Sequence, residues 1–357
     1  MGPKYQAVAD ALRRDIAAGV FQDGQALLPE EELKEKFSVS RQTVRQAIAL
    51  LETDGLVVRR RGSGTYVTHG PRRHGGPLNV GVITTYITDY IFPSIVRGIE
   101  TALSLEECVM SLSATYNHTG RERLLLERFL ASPVDGLIIE GTQTAMPNPN
   151  IALYEKLRER NIPYVFINGY YPQLSHCVRV VTNDTAGGAQ AALALIEAGH
   201  TRIGGIFKAD DMQGRLRFEG FSAALREHGL PTPTENICWF TTENKHRLFR
   251  EAAGRALVNR LADMVDAVVC YNDEMALLLL DRLKEQQLSV PGDISLISFD
   301  NSAYAGICTP GLTSFSHPKD EFGRVAATKL MSMMRGKQET SAVLPWELVR
   351  RESVRLL

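Results

Sequence analysis

Val39-Ser40-Arg41-Gln42-Thr43-Val44-Arg45-Gln46-Ala47-Ile48-Ala49-Leu50-Leu51 is the stretch on which the reading of this chain turns. Ser40 stands where a helix N-cap belongs. Val44, Ile48 and Leu51 recur at helical spacing and define a buried stripe, with Arg41, Gln42, Arg45 and Gln46 on the opposite face and its borders. Arg and Gln carry the forked donors and acceptors that match guanine and adenine edges in a major groove. A lone polar helix would be read as a solvated one, so its neighbours decide.

Upstream, Glu30 to Phe37 predicts a short amphipathic helix with Leu33 and Phe37 inward, and Ser38-Val39-Ser40 leaves room only for a sharp turn. Downstream, Asp54-Gly55 stops the helix. Leu56 to Arg61 and Thr65 to Val67 then flank Gly62-Ser63-Gly64, a hairpin with three consecutive arginines, Arg59 to Arg61, at its tip. A further helix is expected from Tyr5 to Ala18 on Val8, Leu12 and Ile16, with Lys4 and Tyr5 placed to reach a phosphate. The whole is a winged helix-turn-helix.

Tyr5 to Val67, with Glu31-Glu32-Leu33, Val39 to Ile48, Gly55-Leu56 and Arg61 to Val67, resembles a GntR-type winged-helix domain. The resemblance implies that Glu30, Arg41, Gln42, Thr43, Arg45, Arg61 and Gly62 contact DNA. Pro29 stands where that family usually has a Ser or Thr, and proline suits a first helical turn but offers no hydroxyl.

At 357 residues the chain exceeds this one domain and calls for two or three units. Apolar residues at 44% and charged residues at 23% are those of a globular protein with a large core. Net charge is only −1, yet seven arginines face Glu52 and Asp54 between Arg41 and Arg73, a localisation that fits a DNA-facing surface. Five dispersed cysteines without a CxxC pair point to a reducing compartment. No apolar signal core and no run of 18 apolar residues occurs, so a cytoplasmic location without membrane contact is expected.

Residues 69–77, His-Gly-Pro-Arg-Arg-His-Gly-Gly-Pro, read as a linker between a head at 1–68 and a body at 78–357. In the body, apolar strands without alternation are followed by helices: Val80 to Thr84, Gly136 to Ile139, Tyr164 to Ile167, then Val178 to Thr182, Ile203 to Ile206, Ala267 to Cys270 and Ile294 to Ser298. Such runs mean doubly wound parallel sheets covered on both faces. Two series mean two α/β subdomains, about 78–178 with 318–340 and about 179–317 with 341–357.

Ligands of open parallel sheets sit beyond the carboxyl ends of the strands. Tyr90, Phe92, Glu140, Asn168, Lys208, Asp210, Asp211, Tyr271, Asn272 and Asp300 follow the strands, and Arg217 lies nearby. Each alone reads as readily as a helix cap or solvated turn. Together they offer acceptors and donors for hydroxyls and rings to cover an apolar sugar face, a polyol pocket.

Gly199-His200-Thr201-Arg202, Arg217-Phe218-Glu219-Gly220, Tyr271-Asn272-Asp273 and Val290-Pro291-Gly292-Asp293 resemble the effector domain of LacI/GalR repressors, itself similar to periplasmic sugar-binding proteins. That resemblance implies sugar contact at Arg217, Asn272 and Asp300 and a polar role for His317. A GntR-type head on such a body resembles the arabinose-repressor type of regulator. It implies L-arabinose as the effector, where the residues themselves reach only a small polyol; the mechanism expected is a homodimer on operator double-stranded DNA, released by the small sugar.

Enzyme signatures are missing: no GxGxxG, GxxxxGK[ST] or GxSxG, and neither HExxH nor close Cys/His spacing. No catalytic residue, cofactor or metal is expected. The alternatives are a repressor responding to another pentose or hexose and a cytoplasmic sugar-binding protein with an idle head.

Overall fold

The computed structural model describes residues 3–17, 20–21, 24–60, 63–67, 77–88, 90–132, 134–232 and 234–357. Arg61 and Gly62 lie outside the described residues, as does the linker except Pro77.

The head comprises α1 (Lys4–Ala17), α2 (Glu30–Phe37), α3 (Arg41–Thr53) and the hairpin β1 (Val57–Arg60) and β2 (Gly64–Val67). Ser38 at φ 51 ends α2, and its amide donates to the carbonyls of Glu35 and Lys34. Leu12, Leu33, Val44, Ile48, Leu51 and Val67 close one small core. Ala26 bridges Tyr66, so the incoming chain braces the wing.

The first lobe of the body holds β3 (Asn79–Thr84), α4 (Phe92–Ser104), β4 (Val109–Ala114), α5 (Thr119–Ala131), β5 (Gly136–Glu140), α6 (Ile151–Glu159), β6 (Tyr164–Ile167) and β7 (Val178–Thr182). The second holds α7 (Asp184–Glu197), β8 (Ile203–Lys208), α8 (Met212–Glu227), β9 (Ile237–Phe240), α9 (Lys245–Leu248), α10 (Glu251–Met264), β10 (Ala267–Cys270), α11 (Asp273–Glu285), β11 (Ser295–Asp300), α12 (Ala303–Ile307) and β12 (Thr313–Ser316). The chain returns to the first lobe with α13 (Lys319–Met334) and β13 (Ala342–Leu344), then ends in the second with β14 (Glu347–Val349).

The sheets run β13-β7-β6-β5-β3-β4 and β14-β12-β11-β10-β8-β9. All pairings are parallel except β12 with β14. Each sheet separates two apolar clusters, so fully buried runs such as Gly136–Glu140 need no polar face.

Two expectations are corrected. Val178–Thr182 pairs with β6 and so belongs to the first sheet instead of opening the second series. Residues 342–344, expected in the second lobe, pair with β7 in the first. A buried apolar strand is marked as buried by its composition, but its partner is a non-local choice that composition does not encode.

In each lobe one helix pair crosses at backbone distance. A Cβ on Gly98 would sit 2.1 Å from the Asp320 carbonyl oxygen, and one on Gly220 would sit 1.8 Å from that of Thr185. Gly220 follows Arg217 by one turn, so the α7–α8 crossing also sets where Arg217 stands. Gly220→Ala is expected to cost about 1–3 kcal/mol in denaturant unfolding, because backbone cannot yield as a side chain can. Gly120→Ala, where nothing lies within 4 Å, serves as the control and should be neutral or mildly stabilising. Equal unfolding free energies for the two variants would contradict the close crossing.

Candidate functional site

On the head, the Ser40 hydroxyl accepts from the Thr43 amide at 3.1 Å, and Val44, Ala47, Ile48 and Leu51 are buried. This leaves Arg41, Gln42, Arg45 and Gln46 exposed on α3, with Thr43 half-buried beside Ser40. Glu30, at the start of α2, accepts from the Nε of Arg41 at 3.1 Å and of Arg45 at 2.9 Å. In the wing Arg59 and Arg60 are exposed, and the Arg60 guanidinium lies 4.6 Å over the Tyr66 ring. Lys4 is exposed at the start of α1, while Tyr5 packs against the head core.

Between the lobes lies a cavity of about 190 Å³, against about 10–15 Å³ for a single water, so it accommodates a small saccharide. Tyr90, Phe92, Glu140, Asn168, Lys208, Asp211, Arg217, Tyr271, Asn272 and Asp300 line it, as the strand-end rule expects. Tyr90, Asn168 and Asp300 hold φ of 65, 56 and 92, left-handed backbone stored where strands meet the cavity.

Arg217 is 1% exposed. Its Nε donates to Asp184 at 2.9 Å and its Nη1 to the Tyr271 carbonyl at 2.5 Å, while the rings of Tyr271, Phe299 and Trp346 lie 4.9, 4.4 and 4.9 Å from the guanidinium. Burial works most strongly against its charge, but Asp184, Tyr271 and Asp300 together outweigh burial and raise the pKa further. Lys208 shows the same balance: burial opposes its charge, and Asp211 at 3.0 Å with Asp210 at 3.5 Å overcomes it. Lys245 bonds Glu274 at 2.7 Å. Among the described residues, the three cations of the lining thus each have a carboxylate already.

Burial pushes Glu140 above the usual carboxylate range, although the amide and hydroxyl of Thr85 and the Asn168 amide donate to it at 2.6, 2.5 and 2.9 Å. Burial likewise pushes Asp300 up to about 6, opposed by Arg217 and Lys319 and assisted by Asp273.

Two expected residues do not line the cavity. Asp210 ties the lobes together, accepting from Asn117 at 3.2 Å and from the Thr242 amide at 3.0 Å. His317 lies buried where the chain recrosses between lobes, packed on Phe322 and Trp346 with neither ring nitrogen hydrogen-bonded among the described residues. Asn272 lines the cavity, but its side chain also caps α11, accepting from the Met275 amide at 3.0 Å.

Sequence reading missed Asn117, Thr144, Gln213, Thr242, Lys245 and Glu274. Asn117 follows β4, an edge strand of mixed composition, and Thr242 and Lys245 follow β9, an edge strand of only four residues. For these three the signal was the same strand-end rule, applied to strands that the sequence did not mark; Gln213 and Glu274 lie a few residues further along after β8 and β10.

The profile for bacterial regulatory proteins of the gntR family matches residues 4–67, and that for the periplasmic binding protein-like domain matches residues 192–354. The structure is similar to CcpA of Lactococcus lactis, with TM-score 0.69 and 25% identity over 78% of this chain and all of that one. It is also similar to a LacI family regulator from Enterococcus faecium with bound ribose, at 0.65 and 26% over 78% and 99%. A DNA-reading head on a cleft of this kind defines a ligand-responsive transcriptional regulator.

In sequence the chain is 40% identical over 333 residues to an arabinose metabolism transcriptional repressor of Geobacillus stearothermophilus, a match covering 93% of this chain and 91% of that one. It is 36% identical over 345 residues to one of Halalkalibacterium halodurans, covering 93% and 89%. The chain belongs to the family of arabinose metabolism transcriptional repressors. It is a sugar-responsive repressor and not an enzyme.

Asp300 gives the cleft a pH signature. Between about pH 4 and pH 6 the folded chain holds a proton that the unfolded chain has released, so this carboxyl's contribution to stability declines as pH rises through that window. Asp300→Asn removes the dependence. Relative to wild type, its unfolding free energy should improve from pH 4 to pH 7 by on the order of 2 kcal/mol, and parallel pH profiles would contradict the shift.

Proposed function

We propose that this chain acts as a homodimer whose two heads grip a roughly two-fold symmetric operator, and that L-arabinose releases it by stabilising closure of the cleft. The cavity chemistry carries the ligand class. Three cations face four carboxylates in the lining, and every cation is already paired, so hydroxyl groups find acceptors while a phosphate or carboxylate ligand finds no unpaired cation. That favours a neutral sugar over a sugar phosphate. The names of the relatives favour arabinose among neutral sugars. Glu140, Asn168, Lys208, Asp211, Arg217, Tyr271, Asn272 and Asp300 are the proposed polar contacts, with Phe92 against the sugar's apolar face.

Closure is already expressed in bonds across the cleft. The Tyr90 hydroxyl accepts from the Asp273 amide at 2.9 Å and donates to the Phe299 carbonyl at 3.3 Å. Asn117 donates to Asp210 and Thr242, and the Met212 amide donates to Thr144 at 3.0 Å. A ligand that fits only between closed lobes shifts the population toward closure by its differential affinity, and closure alters head spacing through the linker.

Adding L-arabinose to operator-bound protein should release the duplex, with heat of binding seen by calorimetry for L-arabinose and none for pentose phosphates. Release by a pentose phosphate and not by L-arabinose would overturn the assignment. Tyr90→Phe loses both hydrogen bonds of its hydroxyl, about 1 kcal/mol each, so apparent sugar affinity should fall by more than tenfold while sugar-free operator affinity rises. Weaker sugar binding with unchanged operator affinity would make Tyr90 a ligand contact and not a clasp.

A further inference from the structure

Arg41 and Arg45 stand four residues apart on the exposed face of α3, where two like charges repel. Glu30, contributed by a different helix, accepts from both. Its Oε2 lies 3.1 Å from the Arg41 Nε and 2.9 Å from the Arg45 Nε, and its Oε1 lies 3.2 Å from the Arg45 Nε. Glu31 stands 3.6 Å from a terminal nitrogen of Arg41. The carboxylate of Glu30 is 26% exposed, while both arginines are 57% exposed, so the bridge lies beneath the surface that the arginines present.

Which nitrogens are used matters. The Glu30 bridge engages Nε on each guanidinium and leaves both terminal nitrogens of Arg45, and on Arg41 only the longer approach of Glu31 to one of them. The fork that meets the O6 and N7 of a guanine is thus presented outward. A free arginine on a long stem instead takes the nearest phosphate, a contact without sequence information.

We propose that Glu30 is a positioning residue that sets the sequence specificity of the head, holding Arg41 and Arg45 as an aligned pair and keeping both from phosphates, and does not itself read a base. The proposal rests on α3 being the base-reading helix. Its effect is chiefly against wrong sequences: the bridge removes one unit of positive charge from the face and ties down two stems, lowering affinity for every duplex except one that offers base edges to both forks.

The test uses full-length protein, its operator duplex and a scrambled duplex of the same length over a range of salt concentrations. Glu30→Gln keeps shape and removes the charge. Affinity for the scrambled duplex should rise, the operator-to-scrambled ratio should fall roughly tenfold, and the salt slope on scrambled DNA should steepen by about one as a freed arginine takes a further phosphate. Glu30→Asp keeps the charge one methylene short of the bridge and should lie between Glu30→Gln and wild type. In an Arg45→Ala background the effect of Glu30→Gln should shrink.

Unchanged ratio and slope in Glu30→Gln, with an unchanged melting temperature, would overturn the proposal. So would a loss of preference confined to one base pair with scrambled affinity unaltered, the mark of a direct base acceptor. If Arg45→Ala alone left base preference intact, the failure would belong to the reading of α3 and not to Glu30.

Discussion

A guanidinium buried to 1% exposure is the constraint around which the second lobe is organised. An unpaired buried charge costs several kcal/mol, so Arg217 is tolerable only with its partners in place. Those partners come from separate parts of the chain: Asp184 from α7, the Tyr271 carbonyl from the end of β10, the Phe299 ring from β11 and the Trp346 ring from the last crossing between lobes. The glycine-mediated contact of α7 with α8 is what brings Asp184 within 2.9 Å of it. One side chain therefore joins the floor of the cavity, the packing of the lobe and the hinge.

The last crossings between the lobes form one packed junction. Trp346 touches Arg217, Phe299 and His317, and His317 in turn packs on Phe322 of α13 in the other lobe. Burial, with Lys319 and Arg217 adding to it, pushes His317 down to about 3. The imidazole thus stays neutral across the physiological range. The two faces of the cleft exchange hydrogen bonds only when they meet.

Much of this was legible in the chain of residues. Ser40 announced α3 because capping is local chemistry, and the strands at 136–140, 203–208 and 295–300 announced themselves because both faces are buried. The strand-end rule then located most of the cavity. Elsewhere local reading failed for physical reasons. Val109–Ala114 is an edge strand whose residues are only partly buried, so it lacked the apolar run and took Asn117 with it. Val178–Thr182 had the apolar run but not a marker of its neighbour. Asp210 and Asp211 are adjacent and chemically identical, and only the crossing of the two lobes directs one to the opposite lobe and the other to the cavity. The bridge from Glu30 to two arginines depends on how α2 and α3 cross, which spacing within either helix does not reveal.

Sugar-triggered release requires energetic linkage between the cleft and the DNA-reading head. The most direct measurement is the affinity of the full-length protein for L-arabinose, determined by titration with saturating operator duplex and without it. Linkage requires operator to weaken sugar binding by the factor by which sugar weakens operator binding, a coupling of about 1–3 kcal/mol or roughly 5- to 150-fold. Equal sugar affinities in the two titrations would contradict it.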